Sequence, residues 1–336
     1  MKTVGFSEAI DSAIAQAMAD DSRIVLFGED VEALHQGLYV RFGRGRIWNS
    51  PISEAAFLGA GVAAALGGLR PIVDLMLVDF VAVGMDALLN HAAKVETFSG
   101  GSWRAPIVVR AACGAGYGDG GQHEQSLWGW LAHIPGLIVA VPSTPDDAAG
   151  LMLACLRAEG PAVFLEHKLL SESWQDTLGT GGRQSAALGS PLADLRQAPP
   201  KRWQAVPLGE AALRREGGDL AIASLGAGVH WALEAAERLA EEGAQAAVLD
   251  LRWVSPLHRD MLCRLVRETH RLLVVDEDYE GFGLSGELAA ILMEEGVQAR
   301  FARVCTRGTI PYSRAMEWEA LPDPQRILAA ARTLVS

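Results

Sequence analysis

The chain has 336 residues, 50% of them hydrophobic and 21% charged, a balance that excludes disorder and collagen-like structure and a length that suits two domains with their own cores. Its 29 basic residues are outnumbered by 41 acidic ones, and the resulting formal charge of −12 excludes sequence-independent binding to nucleic acid. Cys113, Cys155, Cys263 and Cys305 have no Cys or His neighbour at zinc-ligand spacing, so they read as reduced, buried thiols of a cytosol-like compartment.

Along the chain, short β-rich runs alternate with stretches of helical spacing, the pattern of strand–helix units around a parallel sheet. Met1 to Asp20 carries Glu8 and Asp11 where a signal peptide needs an apolar run, and helical spacing instead runs through Ala9, Ile10, Ala13, Ile14, Ala17 and Met18. Strands are expected at Ile24 to Phe27, 71–76, 106–111, 137–141 and 161–165, with helices near 54–68, 81–97 and 144–158, the last capped by Ser143. The uncharged stretches 55–69 and 126–145 are too short, or too interrupted by proline, to span a membrane. Residues 171–206 lose the pattern to Gly, Ser, Pro, Gln and Arg and read as a surface linker. A second series follows, with strands at 219–224, 246–251, 271–276 and 299–305 and helices near 229–242, 258–269, 285–295 and 324–335. The expected architecture is α/β, two doubly wound domains at 1–170 and 207–336 joined by that linker.

Several motifs carry chemistry. Gly59-Ala-Gly61-Val-Ala-Ala64 matches a loose dinucleotide fingerprint, but Pro51-Ile52-Ser53-Glu54 separates it from any strand, so these glycines are expected to serve close helix packing. Gly114 to Gly121 offers backbone N–H groups to an anion and contains Gly118-Asp119-Gly120, the opening of a magnesium–diphosphate motif. The Asn-rich second half of that motif is missing downstream, so this stretch reads as a flexible active-site loop. Glu54 stands at a loop-to-helix boundary, where a carboxylate either faces a site or, with Ser53, caps the helix. His123 follows the glycine-rich loop, and Glu124 beside it would favour the imidazolium if the side chains meet.

Taken together, Phe27-Gly28-Glu29-Asp30, Pro51-Ile52-Ser53-Glu54, Leu77-Val78-Asp79-Phe80, Asn90-His91-Ala92-Ala93-Lys94, Gln122-His123, Ala132-His133-Ile134-Pro135-Gly136-Leu137 and Glu166-His167 resemble the beta subunit of the thiamine diphosphate-dependent decarboxylase component of 2-oxo acid dehydrogenase complexes. Val206-Pro207-Leu208-Gly209, Asp250-Leu251-Arg252 and Val275-Asp276-Glu277-Asp278 continue the likeness through the second half. The resemblance implies a transketolase-like pyrimidine-binding domain followed by a transketolase C-terminal domain. It also implies two alpha and two beta chains, with thiamine diphosphate shared between subunits, Mg2+ held mainly by the alpha chain, and a lipoyl acyltransferase core as a further partner. A chain taken from such an assembly is expected to expose a large apolar face.

By position, Glu54 is then the carboxylate on the cofactor's pyrimidine ring, Phe80 the aromatic stacked on that ring, Met76 a wall of the pocket and Glu29 a second acid near it. His123 is the loop histidine of substrate binding and acyl transfer, so Glu54 and His123 are the expected catalytic residues. Ala158 and Gly160 stand where family members ligate potassium, so the likeness does not carry that ion over. Trp128 and Trp130 add bulk beyond His123. Leu75 to Phe80 and Glu166-His167-Lys168-Leu169-Leu170 look like acetoin dehydrogenase beta chains, which leaves acetoin beside a 2-oxo acid as substrate. A two-subunit carboligase and a non-catalytic assembly subunit are the remaining alternatives.

Overall fold

The structure, a computed structural model, describes residues 3–174 and 195–336. Within these, twelve strands form two sheets: β1 (Ile24–Gly28), β2 (Ile47–Asn49), β3 (Arg70–Leu77), β4 (Val108–Cys113), β5 (Ile138–Ala140), β6 (Ala162–His167), β7 (Ala212–Arg215), β8 (Leu220–Ser224), β9 (Ala246–Asp250), β10 (Trp253–Ser255), β11 (Arg271–Tyr279) and β12 (Arg300–Thr306). The first sheet has the order β10-β5-β6-β4-β3-β1-β2 and the second β12-β11-β8-β9-β7. All pairings are parallel except β10 on β5 and β7 on β9.

The central strands β1, β4, β6, β8 and β9 are buried along their whole length, as strands covered by helices on both faces must be. Alternate residues feed opposite cores. Val25 and Phe27 join one apolar cluster with Val73 and Val109, whereas Ile24 and Leu26 join the other with Ile72 and Val108. Both clusters continue into the second sheet, through Ala223 and Val274 in one and Ile222 and Leu273 in the other.

The expected helices and strands are present with shifted ends, and three features depart from the sequence reading. The stretch 81–97 is not one helix. It is α-helical over Val81–Asp86, π-helical over Ala87–Ala92, and α-helical again over Val95–Phe98, a change of winding that apolar spacing over so few turns does not resolve. Ser143 does not cap helix Pro145–Arg157. Thr144 does, its Oγ1 accepting from Asp147 N at 3.2 Å, while fully buried Ser143 donates to the Asp250 carboxylate across the domain boundary. Of the expected linker, residues 175–194 lie outside the described residues, and the end from Leu195 to Val206 packs rather than wanders. Trp203 is 5% exposed against helix Phe6–Asp20, its indole donating to Ser12 Oγ at 3.0 Å and its backbone N–H to Gln16 at 2.9 Å.

Strands β2, β7 and β10 went unforeseen because three or four residues at a sheet edge carry too little periodicity to read. β10 comes from the second half of the chain yet completes the first sheet, with Trp253 paired to Ala140 and Val141 N–H donating to Arg252 O at 2.8 Å. Beside this seam Arg214 bridges Asp147 and Asp250, and Arg252 pairs with Asp147 at 2.7 Å. Trp253 is fully buried in it, so Trp253→Ala is expected to lower unfolding free energy by about 3–5 kcal/mol, read as a shift in the denaturant midpoint.

Candidate functional site

The five site residues expected from the sequence gather at the carboxyl ends of the first sheet, where open α/β sheets bind ligands. Glu29 follows β1 directly. Gly28 makes this possible, because at its φ of +154° a Cβ would lie 2.0 Å from Asp74 O. Glu54 opens helix Glu54–Leu66, with the helix dipole favouring its charge. Ser53 precedes it as the N-cap but makes no side-chain cap bond, so the capping alternative does not hold. Met76 lies near the end of β3 and Phe80 in the 3-10 turn Val78–Phe80 that follows. His123 meets Phe80 edge-on, with ring centroids 5.8 Å apart and planes at 90°.

Glu29 and Glu54 are half-buried within electrostatic reach of each other, and neither side chain has a hydrogen bond or ion pair among the described residues. Burial, then the charges of Asp30, Glu54 and Asp74, push the Glu29 carboxyl above its usual range. Two half-buried carboxylates that feel each other's charge, at the same strand ends as Met76 and Phe80, suit a flat, nitrogen-bearing ring that donates hydrogen bonds.

Behind this open pair the charges are fully engaged. Asp74 accepts from Met76 N–H at 2.9 Å and its carbonyl from Glu29 N–H at 3.4 Å, which fixes Met76 at a left-handed φ of +67°. Its carboxylate meets His35 Nε2 at 3.1 Å, while His35 Nδ1 meets Asp11 at 2.9 Å. Buried Arg110 pairs with Glu166 at 2.6 Å and lies 3.4 Å from Asp11 and 3.8 Å from Asp74. At the far end of β3, Arg70 donates to the carbonyls of Leu156 and Ala158.

The loop from Gly114 to Gly121, expected to be flexible, is held at many points. Glu124 is fully buried and accepts from Tyr117 N–H at 2.7 Å and Gly120 N–H at 3.1 Å. It shapes the loop, and a pairing with the His123 ring is not made. Gly118 N–H donates to Glu317 at 3.0 Å and Gly121 N–H to Ile310 O at 2.9 Å, so the C-terminal segment clamps the loop. Ala115 N–H and His167 Nε2 both meet Glu277, at 2.8 and 2.9 Å.

Trp128 does not crowd the site. Its buried indole donates to Asp276 at 2.9 Å, and Gly129 N–H donates to Asp278 at 2.8 Å. Burial, joined at Asp278 by repulsion from Asp276, pushes both carboxyls above the usual carboxylate range. Gly61 packs helix 54–66 as expected, since a Cβ there would lie 2.5 Å from Val73, whereas Gly59 faces open space.

The sequence offers no role for Gln125, Lys168 or Tyr279, and for Asp79 only that of a ribose-binding acid at the distance expected from the Gly59–Ala64 fingerprint. Asp79 Oδ1 accepts from Gln125 Nε2 at 2.8 Å, and Gln125 Oε1 accepts from Tyr279 OH at 3.0 Å. Lys168 donates to His123 O at 2.5 Å. One signal was available: Glu166-His167-Lys168 sets three polar residues between the apolar stretches 162–165 and 169–170.

Two α/β domains in one chain, with acids, an aromatic ring and a tethered histidine at the strand ends of the first sheet, place the protein in the transketolase-like class. Residues 2–172 match the family "Transketolase, pyrimidine binding domain" and residues 209–327 the family "Transketolase, C-terminal domain". The chain is 34% identical to the acetoin:2,6-dichlorophenolindophenol oxidoreductase subunit beta of Bacillus subtilis (strain 168), over 99% of this chain and 98% of that one. It is 35% identical to the mitochondrial pyruvate dehydrogenase E1 component subunit beta-1 of Arabidopsis thaliana, over 98% and 89%. A split gene transketolase, solved as an inactive beta4 tetramer, shares the fold with a TM-score of 0.77 at 19% identity, over 99% of this chain and 98% of that one. The chain belongs to the family of beta subunits of thiamine diphosphate-dependent 2-oxo acid and acetoin dehydrogenases.

The buried charge cluster predicts a pH dependence. Burial alone would push His35 down, but Asp11 and Asp74 lift it to about 9. A histidine raised in the folded state stabilises fully below about pH 6.5, and that stabilisation is lost as pH rises through about 9. The melting temperature is expected to fall between about pH 7 and 9.5, and to fall less steeply in His35→Gln.

Proposed function

We propose that this chain, with an alpha subunit, decarboxylates a 2-oxo acid and passes the acyl group to a lipoyl carrier, binding the aminopyrimidine end of thiamine diphosphate at the subunit interface. The carrying observation is the unpartnered Glu29–Glu54 pair beside Met76 and Phe80. When bound, the cofactor supplies an acidic thiazolium carbon that adds to a keto group. Glu54 would hold the cofactor's pyrimidine ring by hydrogen-bonding a ring nitrogen, its carboxylate being the group able to hold or release a proton there. Phe80 offers a flat apolar face and Met76 closes the pocket wall, so the ring has one orientation. Glu29, with its raised proton affinity, is the second acid beside the ring. His123, at the edge of Phe80, binds the substrate carboxylate or opposes developing negative charge.

Among the described residues no group of three or more His, Cys, Asp or Glu side chains is arranged to hold a metal ion, and this reading gives Mg2+ and the diphosphate to the alpha subunit. Residues 1–170 form the cofactor-facing domain in this reading, 171–206 the connection and 207–336 the second domain. No described helix is long and apolar enough to cross a membrane, and we place the assembly in the cytoplasm. Acetoin is the second substrate reading, favoured by the likeness to acetoin oxidoreductase beta subunits.

The partner face is an apolar groove of about 750 Å³ between helix 54–66 and residues 87–103, where Phe98 is 75% and Trp103 63% exposed. Phe98→Ser combined with Trp103→Ser is expected to weaken co-purification with the alpha chain at least tenfold while improving solubility of the chain alone, read by size-exclusion chromatography. In the complex, Glu54→Gln is expected to keep cofactor affinity by calorimetry and to lower turnover of a 2-oxo acid panel by on the order of a hundredfold or more. An active Glu54→Gln complex would overturn the assignment.

A further inference from the structure

Lys168 is 1% exposed, just past the end of β6, in a protein whose other lysines and arginines mostly reach solvent or a paired carboxylate. Its ammonium donates to the backbone carbonyl of His123 at 2.5 Å and lies 5.8 Å from the centre of the Tyr117 ring. Burial pushes this ammonium towards neutrality, and Glu124, Asp79 and Asp119 act against it. Cys113, a further titratable neighbour, is buried with its thiol pushed up.

The three acids are also the groups that shape the site. Glu124 holds the loop backbone at Tyr117 and Gly120, and the carbonyl of Asp119 accepts from His123 Nδ1 at 3.3 Å. Asp79 immediately precedes Phe80 and binds Gln125, two residues after His123. Its buried Oδ2 has no hydrogen-bond partner among the described residues, burial pushes the carboxyl up, and the charge of Lys168 adds to the hydrogen bonds that hold it down. One buried cation thus lies within electrostatic reach of acids on both sides of the Phe80–His123 contact, and its hydrogen bond to the His123 carbonyl is the direct tether. Without it, these acids lose a compensating cation and the His123 carbonyl loses its donor.

Building on the cofactor reading above, we propose that Lys168 is the positioning residue of the His123 loop, its charge holding His123 against Phe80 while leaving the Glu54 end of the site to other groups. The proton step at Glu54 should therefore survive a change at Lys168, and the steps that need His123 should not.

The test uses the co-purified complex with Lys168→Met and Lys168→Gln. Deuterium exchange at the thiazolium carbon reports the Glu54 step, and kcat/KM for the 2-oxo acid or acetoin reports the whole reaction. Lys168→Met is expected to lower kcat/KM by about 10–100-fold, as misplaced catalytic groups do, while exchange stays within about twofold. Lys168→Gln, which keeps a donor for the His123 carbonyl, should lose less. Asp79→Asn combined with Lys168→Met should lose less than the product of the two single losses, the mark of a coupled pair. An unchanged kcat/KM overturns the proposal, and so does exchange that falls in parallel with turnover in both variants. Absence of exchange in the unsubstituted complex overturns the cofactor reading itself, and this proposal with it.

Discussion

A guanidinium withdrawn from water must be paired, and the pairing of Arg110 organises the molecule. Its partners come from separate parts of the chain: Asp11 from the first helix, Asp74 from β3 and Glu166 from β6, with His35 packed between them. Removing any one partner would leave a buried charge uncompensated, so these elements are held in one arrangement. Asp74 passes that rigidity forward, since it sets the backbone at both Glu29 and Met76. The open acids of the site stand on a floor of acids that are already engaged.

The same division of labour recurs around His123. Each acid near the loop, Glu124, Glu277, Asp276 and Asp278, holds a backbone N–H or a ring nitrogen, and several of these bonds cross from one domain to the other. The loop therefore takes its shape from the second domain as well as the first. Glu29 and Glu54, by contrast, have no side-chain hydrogen bond or ion pair among the described residues, which is why the proposed function rests on them.

The architecture was legible where physical constraint repeats along the chain. Buried parallel strands such as Val108–Cys113 and Leu220–Ser224 are unbroken apolar runs, and the helices between them keep their spacing. Short edge strands, the change of winding after Asp86 and the packed stretch at Trp203 depend on partners distant in sequence, which no local pattern encodes. In the site, Glu29, Glu54, Met76, Phe80 and His123 could be placed because their motifs stand at chain positions that a family resemblance fixes. Whether Glu124 meets the His123 ring was open in the sequence because adjacency says nothing about direction: its carboxylate accepts from Tyr117 and Gly120 of the loop backbone. The part that Lys168 and Asp79 play in the site was not legible because their meaning lies in charges brought together by folding.

The strand Trp253–Ser255 that closes the outer edge of the first sheet also orders events during synthesis. The segment bearing Glu29, Glu54, Phe80 and His123 leaves the ribosome long before Trp253 does, and until then β5 has an open edge able to pair with any extended chain nearby. The nascent first domain is therefore a client for whatever shields exposed strands, and a gene split between the two domains would separate a sheet from its own last strand.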